Sequence, residues 1–459
     1  MIMNKLYKII VLIALFPVFL CGCSGLLDDV KPDTSIPVPN LTNSDLPLVA
    51  KGMYKRLSGG FYYMSCIAED IASDNLTTIY EVANNINFRQ FDNCNVGTND
   101  GLICARMYSF PYNGIGLANI LINFVKEENP QDATVRTAKG EALLMRGYCY
   151  MLLAERFGKA ILTLSTDEDM YREQAPEDKV WEQAISDLQN AIKLLPEFTT
   201  PNSASIQAAK AILARLYLNY GVLSNNTEMI KDAGKLASEV INNGGKLALN
   251  PNFKENFIST GTGNEVIWRL VETAATPTQF GLYSMLSPKG YVDSPRGDTW
   301  MEEALYKLYE SKDKRLSVVD VQPYEPMGHD YPYCVKYPAD EHPVWPFVRL
   351  AEMYLITSEV AARQGTVDVT GYNAVRAVRG VSQKQNTDFT DTADFLKEIE
   401  TERRREFVAE GLRWFDMRRF GSITSLLEAK GVDTRRVHFP IWSSELSKNP
   451  KLKQTEYYD

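Results

Sequence analysis

The stretch ERRREFVAEGLRWFDMRR, Glu402 to Arg419, decides how the chain folds. Glu402, Glu406 and Glu410 recur every four residues, so a helix sets them on one face, each a turn from the next. Like charges at that spacing repel unless cations stand against them. Arg403, Arg413, Arg418 and, from upstream, Arg349 are available, and planar guanidinium groups suit bidentate pairing with carboxylates between packed helices. The spacing predicts helices stacked on helices, with charge inside the stack. A rival reading makes two of these acids a glycosidase pair, which requires a cleft; a packing network explains the same residues without one.

Outward from this segment the 3.6-residue period dominates. Trp181, Ala184, Ile185, Leu188, Ala191, Ile192 and Leu195 form one apolar face, and Pro196 ends the run. Ala138, Ala142, Met145, Cys149 and Leu152 form a stripe, with Leu144, Tyr148 and Met151 on another side of the same helix. A helix apolar on two sides packs between neighbours. Lys139–Gly158 with Val180–Pro196 makes a tetratricopeptide-like pair, and Gln207–Gly221 with Met229–Asn243 repeats it. Arg146-Gly-Tyr148 matches Arg215-Leu-Tyr217 at an offset of 69 residues. Phe347–Gln364 with Tyr372–Arg379 gives a third unit, and Asp394–Arg405 with Leu412–Leu427 a fourth. Such units cannot bury their faces alone and stack into a superhelix. The expected fold is mainly α: a tetratricopeptide-like α-solenoid of about four helix-pair units.

Two inserts interrupt the pattern, at about 62–113 and 246–345. Residues 251–345 hold nine of the 22 prolines and fourteen aromatics, which predicts loops and short strands apart from a helix near Trp300 to Glu310. Irregular inserts on a rigid scaffold are where binding surfaces usually sit. The net charge of −9 and the lack of clustered Lys and Arg argue against nucleic acid.

The start reads as a secretory signal over residues 1–22, with Lys5 and Lys8 before an apolar run from Ile9 to Leu20, too short to span a bilayer. Cys23 follows Gly22 as the expected lipidation site, with Cys21 the poorer acceptor. Residues 23–40 then form a polar, proline-containing tether. Several acyl chains would anchor the protein to a membrane. The five cysteines after Cys23 have no zinc-type spacing; Cys149 reads as a small buried hydrophobe, and Cys94 with Cys104 is a candidate bridge. His329, His342 and His438 are not at metal-ligand spacing, and no nucleophile elbow or phosphate-cradling loop is present. No metal, cofactor or catalytic residue is expected, and His438 reads as structural.

The segment from Ile399 through Arg419 closely resembles the C-terminal signature of the SusD/RagB-like family. Arg349-Leu-Ala-Glu352 to Ile356, Tyr372 to Arg376, Lys312 to Leu316, and the ending Phe439-Pro440-Ile441, Glu445-Leu446, Asn449-Pro450, Leu452 and Gln454 resemble family segments in family order. The resemblance covers residues 41–459 as one domain. It departs at Thr455, where the family usually has Asn, and in length, which bears on the binding loops.

The resemblance implies a non-catalytic lipoprotein of the outer membrane that faces the cell exterior, anchored through Cys23. It would capture an oligosaccharide or polysaccharide and pass it to a SusC-like, TonB-dependent transporter. Glu402, Arg403, Glu406, Glu410, Arg413 and Asp416 would be the structural signature. The family's ligand contacts fall outside the matched motifs, so candidates come from the inserts: Tyr80, Tyr283, Tyr291 and Trp300, aromatic rings on which the apolar faces of sugars can lie. Each is also readable as packing, Trp300 as a helix residue facing the solenoid. Rival functions are peptide binding on the same fold, as in the RagB branch, glycan hydrolysis, and a ligand-free assembly scaffold.

Overall fold

Helices begin where the chain offers a side-chain acceptor to the first free amides. In the computed structural model, which describes residues 42–58, 62–78, 86–126, 128–166, 168, 171–271, 285–288, 297, 299–324, 328–338 and 344–458, Asp132 accepts from Thr134 and Val135 at the head of α5 (Ala133–Phe157). Ser205 caps α7 (Ile206–Leu223) and Asn226 caps α8 (Thr227–Asn242). Between them α6 (Glu177–Leu194) starts after Pro176, with Glu177 and Asp178 placed to favour the amino end of the helix dipole. Residues 42–45 hold one 3-10 turn, Asn43–Asp45, in which Thr42 and Asp45 bond each other.

The preceding helices are α1 (Leu46–Ser58), α2 (Tyr62–Ala72), α3 (Ile86–Asp92) and α4 (Ile103–Phe124). Beyond α8 come α9 (Glu303–Tyr306), α10 (Leu350–Arg363), α11 (Thr370–Arg379), α12 (Thr392–Glu406), α13 (Arg413–Phe420), α14 (Ile423–Ala429) and α15 (Ser443–Lys448). The pairs α5/α6 and α7/α8 are the first two solenoid units; α8 packs on α10, which carries α11 and α12.

Close approach at these crossings depends on small residues. A Cβ on Gly147 of α5 would stand 2.9 Å from Leu188 Cγ of α6, and one on Gly234 of α8 would stand 2.8 Å from Val360 of α10. Buried ion pairs lock the same contacts. Arg146 reaches Asp187 through two 2.7 Å bonds, and the matching Arg215 reaches Glu352 of α10 at 2.6 and 2.9 Å. The two arginines noted at the 69-residue offset do related work, one within a unit and one between units.

Six strands make three two-stranded antiparallel sheets: β1 (Leu76–Thr78) with β3 (Thr299–Met301), β2 (Val266–Val271) with β6 (Val344–Arg349), and β4 (Val319–Tyr324) with β5 (His329–Cys334). The first pairs the two inserts across register Thr77 to Trp300.

The helix-pair scaffold is present, with four differences from the sequence expectation. Phe347 to Arg349 end strand β6 rather than beginning the third unit's helix. The fourth unit's second helix is two, broken after Phe420 where Gly421 takes φ 86°. Insert 62–113 is largely helical among its described residues, through α2, α3 and the start of α4. Trp300 lies in a strand, and only Glu303–Tyr306 is helical in the stretch expected to form a helix up to Glu310. Cys66, Cys94, Cys104, Cys149 and Cys334 are all free and buried, so Cys94 and Cys104 are not bridged.

Replacing Gly147 by Val forces two further carbons toward Leu188 and the Ala184 carbonyl. The expected cost is about 1–3 kcal/mol, read as a lower urea midpoint with the far-ultraviolet circular dichroism spectrum retained.

Candidate functional site

Glu402 and Glu406 of α12 are 0% exposed, and Glu410, in the turn beyond it, is 6% exposed. Each is surrounded by cations. Arg315, Arg376 and Arg405 bond Glu402 at 2.7, 2.8 and 2.5 Å. Arg379, Arg349 and Arg315 bond Glu406 at 2.7, 2.9 and 3.2 Å. Arg349 and Lys336 bond Glu410 at 2.7 and 2.9 Å. Glu265 bridges Arg349 and Arg379 at 2.6 and 2.7 Å, and Asp313 holds Arg315. Phe253, Phe257 and Phe407 cover the cations with their ring faces, with Arg379 4.8 Å from Phe253, Lys336 4.6 Å from Phe257 and Arg349 4.9 Å from Phe407.

Burial alone would raise the Glu402 carboxyl, but Arg315, Arg405 and Arg376 outweigh it and hold the group at about 2. Glu406 is likewise held well below the carboxylate range by Arg379, Arg349 and Arg315 against the effect of burial. A general acid needs a raised pKa and a path to substrate; these groups have neither. They are ionised mortar.

The rest of the signature extends the same network. Arg403 bonds Asp416 at 2.8 Å, and Arg413 bonds Asp74 at 2.6 Å and Glu400 at 2.9 Å. Of the four arginines named from the sequence as partners for the acid row, Arg349 alone takes that part; Arg418 instead donates to the Glu155 carbonyl, and burial lowers its pKa to about 10. The partners that sequence reading missed are Arg315, Arg376, Arg379, Arg405 and Lys336. Asp70, pushed up to about 7 by burial, accepts the backbone N–H groups of Ala409 and Gly411. Both inserts are thus fastened to the segment from Glu402 to Arg413, one through Asp70 and Asp74, the other through Arg315 and Lys336.

Where the inserts meet, Trp300 sits at the centre of an aromatic cluster. Its ring lies 4.0 Å from that of Tyr331, tilted by 31°, with Tyr324 at 6.1 Å and Tyr333 edge-on at 6.2 Å. Trp300 and Tyr331 are each 9% exposed, and exposed His329 lies over Tyr331 at 4.3 Å. Tyr80, Tyr283 and Tyr291 lie outside the described residues, as does Cys23. Tyr80 is two residues beyond the end of β1 and Tyr291 eight before the start of β3. His438 stands 3.8 Å from Glu177. Among the described residues no group of three or more His, Cys, Asp or Glu side chains could hold a metal ion, and no helix is long and apolar enough to cross a membrane.

Comparison with known proteins matches the two ends of this architecture. Residues 27–218 match a family model described as starch-binding associating with outer membrane, and residues 336–434 match the SusD family model. The chain belongs to the SusD/RagB-like family. A SusD-like protein P2 of Formosa agariphila is 26% identical over 360 residues, 72% of this chain and 67% of its own length. Among solved structures, a laminarin-binding SusD-like protein superposes with a TM-score of 0.75 at 21% identity, over 90% of this chain and 99% of its own. Surface glycan-binding protein A from Bacteroides uniformis superposes with a TM-score of 0.76 at 20% identity, over 90% and 99%. The buried acid row belongs to the core of this SusD-like fold.

Replacing Arg349 by Met leaves Glu265, Glu406 and Glu410 short of a cation in the interior. A loss of about 3–5 kcal/mol is expected in urea unfolding at neutral pH. Because the folded pKa of Glu402 and Glu406 is depressed, their contribution is complete above the ordinary glutamate value near 4.5 and disappears as pH falls toward 2. Acid titration followed by circular dichroism should show the wild-type protein losing stability across that window.

Proposed function

We propose that this SusD-like protein captures oligosaccharides at the cell surface without transforming them and delivers them to a SusC-like, TonB-dependent transporter. The observation that carries the reading is the sealing of Glu402, Glu406 and Glu410 among six cations, which gives the charged signature a structural task and takes its carboxylates away from any substrate. Ligand capture then falls to the inserts. The proposed ligand face is built on the Trp300 cluster and on the segments carrying Tyr80, Tyr283 and Tyr291, with ring faces against sugar CH faces. Two proteins that share the fold, the laminarin-binding SusD-like protein and surface glycan-binding protein A, support carbohydrate as the ligand class. Cys23 is the proposed lipid anchor, and the outer-membrane description of the family model supports the location.

The purified full-length protein, applied to glycan and peptide arrays side by side, should bind glycans. Tyr291→Ala or Tyr283→Ala should weaken the best glycan about tenfold, equivalent to about 1.4 kcal/mol, with the unfolding midpoint unchanged. Incubation with that glycan should release no reducing ends. Binding to peptides alone, or release of reducing ends that Glu406→Gln abolishes, would refute the reading.

A further inference from the structure

The strand pair that carries Trp300 is tied to the turn after α12 at one carboxylate. Asp70, near the end of α2, is fully buried. Its Oδ1 accepts from Asn75 Nδ2 at 2.6 Å and from the Ala409 N–H at 3.1 Å, and its Oδ2 accepts from the Gly411 N–H at 2.8 Å. Ala409 and Gly411 have φ of 60° and 71°, and a residue with a Cβ is strained in this left-handed region. Asp70 takes both of the N–H groups that this turn presents to it.

Asn75 carries the connection outward. Its side-chain oxygen accepts from Arg404 of α12 at 3.4 Å, which fixes the direction of its amide, and its backbone carbonyl accepts the Glu302 N–H at 2.9 Å. Leu76 pairs with Met301 and Thr77 with Trp300, so Asn75 and Glu302 add a rung to the β1/β3 ladder. The path from Trp300 to the turn runs along that ladder, through the Asn75 amide and across the Asp70 carboxylate. The other end of β1 is held by Asp92, which accepts from the Thr77 hydroxyl and the Thr78 N–H.

Every group that bonds the Asp70 carboxylate is an N–H donor, so these contacts suit its ionised form. A protonated carboxyl has a hydrogen of its own to place. Against Ala409 or Gly411 it would meet another hydrogen, and Asn75 could receive it only by turning its NH2 toward the Arg404 guanidinium, donor against donor. One of the contacts must then give way. Burial favours the neutral form and pushes the carboxyl up to about 7, against the three hydrogen bonds and nearby Lys336. Cys334 and Tyr337 stand near Asp70 from β5 and the segment beyond it; burial pushes the thiol up to about 11 and the phenol well above its usual value, so both stay neutral between pH 5 and 8. Glu410, between the two turn amides, bonds Lys336 and Arg349. On the side of Asp70 itself, Glu69 bonds Arg156 and Asp74 bonds Arg413.

We propose that Asp70 is a positioning residue for the ligand face: ionised, it holds the β1/β3 pair, and with it Trp300, against the turn after α12, and on protonation it releases a contact and weakens glycan binding. The proposal rests on the inserts forming the ligand face. Because the folded-state value stands above the ordinary 3.8, the contribution of this group to stability is full below 3.8 and is lost as pH rises through 7. On its account the fold is no weaker at pH 6 than at pH 8. A fall in affinity over that interval without a fall in stability reports a change of position, which a merely structural role would not give.

Titration calorimetry of the full-length protein with the glycan that binds best at pH 8, repeated down to pH 6, tests it. Binding should weaken by about threefold or more, with the urea midpoint not lowered. Asp70→Asn, which keeps the shape but not the second acceptor, should bind at pH 8 as weakly as wild type does at pH 6 and show no pH dependence. His329→Gln, made because histidines titrate in this range and His329 lies over Tyr331, should keep the dependence. Hydrogen exchange of the glycan-free protein, corrected for the intrinsic effect of pH, should be faster at 76–78 and 299–301 at pH 6 than at pH 8 in wild type, and fast at both in Asp70→Asn. Affinity that is flat from pH 8 to pH 6, a pH dependence that Asp70→Asn retains, or unaltered exchange at both strands would overturn the proposal and leave glycan capture standing. If wild type binds no glycan at either pH, the capture reading falls, and the exchange comparison decides whether Asp70 positions the strand pair.

Discussion

Three glutamates spaced one helical turn apart can lie in the interior only if the fold brings them at least as much positive charge. The supply is six cations: Arg315, Lys336, Arg349, Arg376, Arg379 and Arg405. They come from a 3-10 turn, the segment just after β5, the end of β6, α11 and α12 itself, so the charge balance is satisfied only when five separate parts of the chain are in place. Desolvation makes any partial assembly costly, since an unpaired buried ion loses several kcal/mol.

A buried ionic network is weak evidence for net stability, because apolar residues of the same shape often do as well. Its use here lies in specificity of assembly. Lys336 and Arg315 belong to one insert, Asp70 and Asp74 to the other, and all four close on the segment from Glu402 to Arg413. A solenoid transmits order from one helix pair to the next, yet irregular inserts gain nothing from that periodicity. The charged cluster supplies the fixed base that the proposed ligand surface on loops requires, and the β1/β3 pairing joins the two inserts.

Much of the scaffold was legible because its helices have one apolar face or two. The acid row was legible as interior charge because four-residue spacing leaves few alternatives. Apart from Arg349, its partners were not: Arg315 and Lys336 lie in segments without period, and Arg376 and Arg379 read as ordinary polar positions of a short helix. The end of strand β6 reads as helix because all six of the strand's residues are buried, and a continuous apolar run carries no period. Insert 62–113 hides its helices for the same reason, Met64 to Ala72 being buried throughout. Trp300 sits in a three-residue strand, too short for alternation to show.

The most direct test of the central claim is a double-mutant cycle on Glu406 and Arg379, with Glu406→Gln and Arg379→Met made singly and together, read in urea unfolding and in glycan affinity of the folded proteins. If the row is mortar, the two substitutions couple by more than about 1 kcal/mol in stability while affinity at the loops is unchanged wherever the protein is folded. Additive stability effects accompanied by loss of binding or of turnover would contradict it.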